Sequence, residues 1–587
     1  MRSRNRSFWL QAAYDEMCQI ARMNTFVFTN HLPPGRSALP AKWVWKTKRS
    51  TDSTIVRFKA RWVVRGDLQK KGIGYTGTFA PVAQLVSLRL LFTVVAIRDL
   101  ELDQLDAVSA FLNGDIDTEI FLRQPQGFVL DSALCALRRS LYGLCQAARA
   151  WYTVLDRALA SIQYFRLMTD MAVWVRRPGD TPSSISFVAA HVDDLVCGGS
   201  RAVVDSVKAH LLQRFNMRDL GPASVFVGLK LLRDRSQRTI HLDQCHYARE
   251  ILDMHGMADC NPSLLPMSPV DLRSLTKSQS AADILSDVDK RRYQSILGSL
   301  GYLVNCTRPD LAFSVNRLAQ FAHRPTDRHL VAVKRVLRYL RYTSDSTLLL
   351  AGPPDQVSLA HPVRVDAWFD ASWADDPDDR RSTFCYVVRY GSACLVWKSC
   401  KHRMVSLSTT DAEYVAASEV TRELSSIRNL FHELQIPFPI PVPIYGDNFN
   451  ANSLANAITS SNRTRHIAIR ERYVTEQATE GVVRAVKVDS SSQFAHIFTK
   501  PLSRDLFVKH ATGLGLTFAR NASGVALICS TSCVFCRSDF PSLTQLHRHL
   551  RRSHGALFSA FSFNLILFLL SILLSLLLSL LLLLTFL

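Results

Sequence analysis

The most informative pattern of polar and apolar positions lies at residues 185–199, where two adjacent aspartates interrupt an apolar run. Apolar residues flank Asp193 and Asp194 on both sides, which predicts two short buried strands that meet at a tight hairpin. The segment 104–115 predicts another short strand, with Asp106 near its end, leading into a turn. Carboxylates beside a core are costly unless a cation compensates them, so this pattern predicts a metal site suited to nucleotidyl transfer.

Other segments show patterns of helix, linker and α/β structure. Residues 8–21 predict a helix, and residues 56–64 predict a basic, aromatic strand. Residues 331–340 predict a helix with a basic face opposite an apolar face, whereas the polar residues 271–289 indicate a linker. From 362 to 515 strands and helices alternate, a pattern typical of an α/β fold.

Composition and charge indicate an intracellular globular protein with a polyanionic partner. With 587 residues, 48% of them apolar, the chain is too long for one core, and about three to four domains are expected. The formal net charge of +20 favours nucleic acid as the partner, although a generic basic surface would give the same total. Thirteen scattered cysteines predict a reduced compartment, cytoplasm or nucleus, rather than a disulfide framework.

The carboxyl-terminal residues 556–587 form an uncharged tail. Its leucine-rich part exceeds the roughly 20 residues that cross a bilayer as a helix, so hydropathy predicts a transmembrane segment. The tail is also nearly a repeat of Leu-Leu-Leu-Ser, which a translated pyrimidine-rich DNA tract would encode. The pattern therefore leaves two interpretations open, a membrane anchor and a translated, non-functional flank.

An ordered series of motifs extends over residues 9–516. The series consists of Val192-Asp193-Asp194 and of residues 42–45, 59–66, 78–82, 104–115, 140–152, 215–221 and 307–310. Together these motifs resemble the reverse transcriptase and ribonuclease H portion of copia-type long-terminal-repeat retrotransposon polyproteins. The resemblance implies a multidomain chain of α/β and α+β type. A right-hand polymerase of fingers, palm and thumb would precede a ribonuclease H-like α/β domain.

The resemblance implies roles for five polymerase residues. Asp106 and Asp193 match the two carboxylates that bridge a pair of Mg²⁺ ions, and Asp194 matches the third member of that set. Lys59 and Arg61 match cationic positions that grip the triphosphate of the incoming dNTP. By residue context alone, these two cations are solvated strand charges.

Two further residues match the nucleotide pocket of the family. Phe111 falls where a bulky ring excludes a ribose 2′-hydroxyl, although by context alone it is a core aromatic residue. Gln146 falls where the family has a residue lining the pocket. The chain departs from the family pattern nearby, because His191 replaces an aromatic residue and Cys145 and Ala148 replace lysine and proline. The carboxylates are therefore retained while their surroundings differ.

The α/β segment carries a second set of acidic residues. Asp370 and Asp447 each follow a predicted strand, and Asp411 lies in the first turn of a long helix. The resemblance implies that these residues and a fourth carboxylate hold two Mg²⁺ ions over the RNA of a hybrid. His496 occupies the fourth position, Asp411 is one methylene shorter than the expected glutamate, and Glu413 is assigned to another helix face. Because Mg²⁺ demands oxygen ligands, we expect weak or absent ribonuclease H activity.

A compact unit near the carboxyl terminus has the spacing of a tetrahedral zinc site. The predicted ligands of one Zn²⁺ ion are Cys533, Cys536, His549 and His554. Phe540 and Leu546 fall at the two apolar positions that such a ββα finger buries. Resemblance to two-cysteine, two-histidine fingers places Ser542, Gln545 and Arg548 on the helix face that contacts DNA bases. The finger is not part of the retrotransposon pattern, which suggests fusion to flanking sequence.

The leading hypothesis is an RNA-directed DNA polymerase that binds an RNA template, a DNA primer, dNTPs and an RNA–DNA hybrid. One alternative is an inactive retrotransposon remnant that acts as a nucleic-acid-binding zinc-finger protein, and another is a tail-anchored membrane protein. The expected segments are a lead-in (1–35), fingers and palm (36–260), thumb or connection (261–355), a ribonuclease H-like domain (360–516), a zinc finger (529–556) and a hydrophobic tail (557–587).

Overall fold

The computed structural model describes residues 5–49, 54–129, 133–176, 185–277, 280, 283–351, 363–456 and 472–518. Residues 1–518 form one compact unit. The predicted zinc finger and apolar tail lie outside the described residues. The domain boundaries proposed from the sequence therefore stay predictions.

The amino-terminal part contains five helices among its described residues: α1 (Arg6–Arg22), α2 (Leu85–Arg98), α3 (Ala147–Ala160), α4 (Arg201–Arg214) and α5 (Cys245–Met254). Its strands are β1 (Phe26–Thr29), β2 (Ala41–Arg49), β3 (Ile55–Val64), β4 (Glu101–Ala107), β5 (Phe121–Leu122), β6 (Leu134–Leu137), β7 (Tyr164–Arg166), β8 (Val173–Arg176), β9 (Ser186–His191), β10 (Asp194–Gly199), β11 (Met217–Pro222), β12 (Val225–Phe226), β13 (Leu229–Asp234) and β14 (Thr239–Asp243).

The following part is mainly helical, with α6 (Pro269–Ser274), α7 (Asp287–Cys306), α8 (Ala312–Ala319), α9 (Asp327–Tyr342) and the short strand β15 (Thr347–Leu349). The last described part comprises β16 (Val365–Ser372), β17 (Thr383–Tyr390), β18 (Ala393–Lys401), α10 (Thr409–Glu433), β19 (Val442–Gly446), α11 (Phe449–Ala455), α12 (Tyr473–Thr479), β20 (Val483–Lys487), α13 (Arg504–Gly513) and β21 (Leu516–Thr517).

Several elements predicted from the sequence are confirmed. The apolar run that contains the two aspartates forms the antiparallel hairpin of β9 and β10. Helices α1 and α9 cover the two segments that were predicted to be helical. The predicted linker at 271–289 is wrong in part, because α6 and the start of α7 occupy both of its ends. Ser268 and Ser286 cap these two helices, which explains how polar sequence forms helix there.

Two sheets carry the acidic residues. The first is a six-stranded antiparallel sheet with strand order β11-β4-β10-β9-β8-β7, hereafter the carboxylate sheet. The second, hereafter the mixed sheet, has the order β18-β17-β16-β19-β20, with β19 parallel to both β16 and β20. Helix α10 packs on the mixed sheet and gives the α/β layer that the sequence pattern predicts.

Two of the apolar clusters of the described residues join these parts of the chain. Buried residues of α2, of helices α7 to α9 and of the mixed sheet belong to one cluster, and α3 and α4 pack in another against the carboxylate sheet. Arg89 of α2 is fully buried beneath the ring of Trp397, at 4.0 Å, and donates to the carbonyls of Leu395 and Cys306. No helix among the described residues has the length and hydropathy of a membrane span.

A buried ion pair gives the motif at residues 307–310 a structural explanation. The guanidinium of Arg308 donates to both carboxylate oxygens of Asp310, at 2.9 and 2.7 Å, and both side chains are almost fully buried. The hydroxyl of Tyr339 donates to Asp310 at 2.7 Å, and Arg308 also donates to the carbonyl of Thr343 at 3.1 Å. The pair thus ties the end of α7 to α9.

Asp310→Asn is expected to lower the free energy of unfolding by about 3–5 kcal/mol, because it leaves the buried Arg308 guanidinium without its counter-charge. Urea denaturation followed by circular dichroism measures the change. The matched control is Asp345→Asn, which breaks an exposed pair with Arg249 and is expected to have little effect. Equal unfolding midpoints for Asp310→Asn and the wild-type chain would refute this account of the motif.

Candidate functional sites

The carboxylate sheet brings Asp106, Asp193 and Asp194 together. Asp194 begins β10 and lies directly opposite Asp106 near the end of β4, while Asp193 occupies the turn between β9 and β10. The amide of Ala107 donates to the Asp193 carbonyl at 2.7 Å and holds this turn against β4. All three aspartate side chains are half-buried. Adjacent strand ends thus present three carboxylates at one point.

The turn itself is strained at its first residue. Val192 has a φ of +62°, a left-handed conformation that β-branched residues rarely adopt and that glycine ordinarily supplies at this position. The indole nitrogen of Trp151 on α3 donates to the Val192 carbonyl at 2.6 Å. Because α3 packs beneath the sheet, this bond fixes the turn that carries Asp193.

The electrostatics of the aspartate cluster favour a bound cation. Burial raises the pKa of Asp194 to about 6; a hydrogen bond from Gln104, at 2.7 Å, opposes this rise, and the charges of Asp106 and Asp193 add to it. Among the described residues, none of the three aspartates forms an ion pair with a basic side chain. Their negative charge is therefore left for a ligand to compensate, and three carboxylates suit a divalent metal ion.

The hairpin of β2 and β3 carries a set of basic residues. Lys59 and Arg61 lie two residues apart on β3 and therefore share a face. Burial lowers the pKa of Lys59, and the neighbouring charges of Arg61, Lys48 and Arg57 lower it further. The charge of Glu16 on α1 opposes this lowering. The basic residues of the hairpin outnumber this acid, an arrangement that suits a polyanion.

Tyr142 is a site residue that the sequence analysis missed. The Arg61 guanidinium lies 4.4 Å from the centre of its ring, and the centre of the Phe111 ring lies 4.8 Å away. Burial raises the pKa of Tyr142 to about 12, and the charges of Asp193 and Asp106 contribute to that rise. Tyr142 therefore lies between the β2–β3 hairpin and the aspartates. Its place within the 140–152 motif was the one sequence feature that could have indicated a role for Tyr142 in the site.

Gln146 lies at the start of α3, and both the nitrogen and the oxygen of its side-chain amide form hydrogen bonds. It donates to the Gly74 carbonyl at 2.9 Å and accepts from Gln69 at 3.2 Å. The preceding residue, Cys145, donates its backbone amide to the other side of Gln69 at 2.8 Å. Gln146 thus holds the loop around residues 66–75, and its predicted contact with a nucleotide stays a prediction.

The mixed sheet gathers a second group of acidic and histidine side chains. Asp370 lies on β16, Asp447 directly follows β19, and His496 lies in a short 3₁₀ turn, Phe494–Phe498. Ligand atoms of these three residues all lie within 4.8 Å of one another. The His496 Nε2 atom is 3.1 Å from Asp447 Oδ2, and hydrogen bonding with His496 is the main cause that lowers the pKa of Asp447.

The structure does not bring Asp411, the helix carboxylate expected from the sequence, together with these three residues, and its role in the group stays a prediction. Asp411 caps α10: it accepts from the amide of Leu407 at 2.9 Å, and its own amide donates to the Ser408 hydroxyl at 3.1 Å. Glu413, which the sequence analysis placed on another face, is buried beside Asp370 instead. Burial is the main cause that raises the pKa of Glu413 well above its ordinary value, and the charge of Asp370 adds to it.

A basic cleft lies beside the amino-terminal end of α10. Its volume is about 490 Å³, and it is lined in part by Lys398, Lys401, Arg403 and Arg422. Such a cleft can accept phosphate groups, because its cations outnumber the acids that line it.

The remaining predicted residues lie outside the described part of the chain. The zinc ligands Cys533, Cys536, His549 and His554, and the base-contacting residues Ser542, Gln545 and Arg548, belong to this set. Their roles stay predictions.

Comparison with known proteins identifies the class to which the aspartate hairpin belongs. A family model described as reverse transcriptase (RNA-dependent DNA polymerase) matches residues 24–269, which include the β9–β10 hairpin and β4. The chain is 33% identical over 502 residues to the retrovirus-related Pol polyprotein from transposon TNT 1-94 of Nicotiana tabacum, covering 85% of this chain and 37% of the relative. It is 34% identical over 490 residues to the transposon RE1 Pol polyprotein of Arabidopsis thaliana, covering 83% and 32%.

A third relative is matched over its whole length. The putative transposon Ty5-1 protein of Saccharomyces cerevisiae is 31% identical over 325 residues, which are 54% of this chain and 100% of the relative. The chain belongs to the Pol polyprotein family of copia-type retrotransposons. It spans about a third of the length of the two plant Pol polyproteins.

A solved structure, the RNase H1 of Halobacterium salinarum, matches 22% of this chain and 90% of its own. The sequence identity is 13% and the TM-score 0.17, a value too low to support a conclusion about the fold.

Proposed function

We propose that the chain is an RNA-directed DNA polymerase whose catalytic centre is Asp106, Asp193 and Asp194. The observation that carries the proposal is the register of the carboxylate sheet, which sets Asp194 opposite Asp106 and Asp193 in the adjoining turn. Membership of the copia-type Pol family supports it.

The aspartates fit two divalent metal ions such as Mg²⁺, because the cluster supplies only oxygen ligands and no basic side chain of the described residues pairs with it. When bound, such ions activate the primer 3′-hydroxyl and neutralise the charge of the triphosphate. Asp106 and Asp193 would hold these ions, and Asp194 would complete the set. Gln104 orients Asp194 through its 2.7 Å hydrogen bond, so that the acceptor position is fixed before substrate binds.

The β2–β3 hairpin binds the triphosphate of the incoming dNTP in this proposal. Lys59 and Arg61 neutralise its negative charge, and the stacking of Arg61 on Tyr142 limits the positions that the guanidinium adopts. The Phe111 ring also packs against Tyr142 and excludes a ribose 2′-hydroxyl. Tyr142 is a positioning residue here, because it acts through Arg61 and Phe111.

For the mixed sheet and α10 we propose a ribonuclease H-like domain with impaired hydrolysis. Asp370, Glu413 and Asp447 are its acidic residues, and the basic cleft at the start of α10 suits the phosphates of an RNA–DNA hybrid. His496 contributes a nitrogen where the family pattern has a carboxylate, which removes an oxygen ligand that Mg²⁺ needs.

The proposal extends to the segments outside the described residues. We propose that the finger binds one Zn²⁺ ion and that its helix contacts DNA. The tail would anchor the chain to a membrane if it inserts into a bilayer. An intracellular location, cytoplasm or nucleus, is supported by the ten cysteines of the described part, all of which are free thiols.

The test is primer extension by the full chain on poly(rA)/oligo(dT) with dTTP and Mg²⁺. We expect DNA synthesis that stops when the metal is chelated. A folded chain that binds the primer–template without extending it would favour the alternative function, an inactive remnant that binds nucleic acid.

A further inference from the structure

The group formed by Asp370, Glu413, Asp447 and His496 combines nitrogen and oxygen ligands. The His496 Nε2 atom points at both aspartates, with Asp447 Oδ2 at 3.1 Å and Asp370 Oδ1 at 3.8 Å. The side chains of His496 and Asp370 are only 4% and 3% exposed, so neither is a mobile surface group that happens to lie nearby.

Glu413 supplies an independent indication of a missing ligand. Its side chain is only 5% exposed, and its Oε2 atom is buried with no hydrogen-bond partner among the described residues. Its carboxyl lies within hydrogen-bond distance of the Asp370 carboxyl, which places Glu413 against the group. A buried acceptor without a partner is costly, so an ion in this position would relieve the cost.

Neighbouring hydroxyl groups donate hydrogen bonds to the two aspartates and so form a second coordination shell. The Thr499 hydroxyl donates to Asp370 Oδ2, and the Ser490 hydroxyl donates to Asp447 Oδ2 at 2.9 Å. Metal-binding carboxylates are ordinarily held by hydrogen bonds of this kind, which fix their orientation.

We infer that Asp370, Glu413, Asp447 and His496 bind a single transition-metal ion, of the class of Mn²⁺ or Zn²⁺, in place of the two Mg²⁺ ions that an all-carboxylate set holds. Imidazole nitrogen is a favourable ligand for first-row transition metals and a poor one for Mg²⁺, which prefers oxygen and near-ideal octahedral geometry. The inference concerns the proposed ribonuclease H-like domain but requires no hydrolysis, and it stands apart from the polymerase.

The competing explanation is that His496 replaces the metal, as a hydrogen-bond partner of Asp447. That explanation accounts for the 3.1 Å contact but provides no donor for Glu413 Oε2, which has none in the described part of the chain. The two explanations differ in one observable, a nitrogen bound directly to a metal ion.

The experiment is Mn²⁺ titration of the full chain, followed by electron paramagnetic resonance. Asp106→Asn and Asp193→Asn are introduced first, so that the polymerase carboxylates contribute no Mn²⁺ site. We expect Mn²⁺ to bind with a ¹⁴N coupling from a directly bound imidazole, and a large excess of Mg²⁺ to leave that signal in place.

Three histidine variants in the same background decide the assignment. His496→Ala is expected to weaken Mn²⁺ binding at least about tenfold. His496→Asp is expected to retain Mn²⁺, lose the ¹⁴N coupling and gain Mg²⁺ competition. His432→Ala, which removes an exposed histidine of α10, should change neither property. A missing ¹⁴N coupling in the folded parent, or one that survives His496→Ala, would overturn the inference; circular dichroism verifies folding in each case.

Discussion

Asp193→Asn is expected to lower the rate of primer extension at least about 100-fold, because an amide cannot supply the negative charge that holds a divalent metal in the turn. The fold should survive the change. Asp193 is half-buried in a turn held by backbone bonds of Ala107 and by the Trp151 indole, and none of these uses its side chain. Initial rates on an RNA template, with matched protein concentrations, measure the effect.

The matched control is Asp205→Asn on α4. Asp205 is an exposed carboxylate in the same part of the chain, and its partner is Arg201 one helical turn away. Its removal is expected to change the extension rate less than about twofold, since exposed pairs contribute little. If both variants lose activity equally, or if Asp193→Asn retains it, Asp193 is not a catalytic residue.

His496→Asp is expected to raise Mg²⁺-dependent cleavage of an RNA–DNA hybrid at least about tenfold. The change restores an oxygen ligand beside Asp370 and Asp447, and Glu413 already supplies the third carboxylate. A single substitution therefore suffices in this account, and Asp411 needs no change. A labelled RNA strand annealed to DNA reports the cleavage rate.

Two further variants separate the acids of α10 in the His496→Asp background. Glu413→Gln should abolish the gain, whereas Asp411→Asn should keep it and lower only the stability of the helix end. The opposite pattern would show that Asp411, and not Glu413, belongs to the site. Strong cleavage by the wild-type chain would contradict the impairment assigned to His496.

The strand and hairpin around the polymerase aspartates could be predicted because their sequence signal is local. A buried run interrupted by two acids allows few structures other than a tight turn, and β9 and β10 form that turn. The strained φ of Val192 could not be predicted, since valine ordinarily avoids it. The turn depends on a hydrogen bond from Trp151, which is 41 residues away in the chain.

Asp411 was expected at the site because its place in a motif was given more weight than its capping position. Ser408 followed three residues later by Asp411 is a pattern typical of a helix amino terminus, and it commits that carboxylate to backbone amides. The next acid, Glu413, then falls on the buried face. Tyr142 was missed for another reason: its role depends on contacts with Arg61 and Phe111, which are distant in sequence.

Single-turnover addition of one dTMP to a DNA primer opposite an RNA adenosine tests the polymerase assignment most directly. The account predicts that the wild-type chain extends the primer by one nucleotide with Mg²⁺, and that Asp106→Asn with Asp193→Asn binds the same primer–template without extending it. Two results would contradict the assignment. One is extension by the double variant at the wild-type rate, and the other is a folded wild-type chain that binds the primer–template but does not extend the primer.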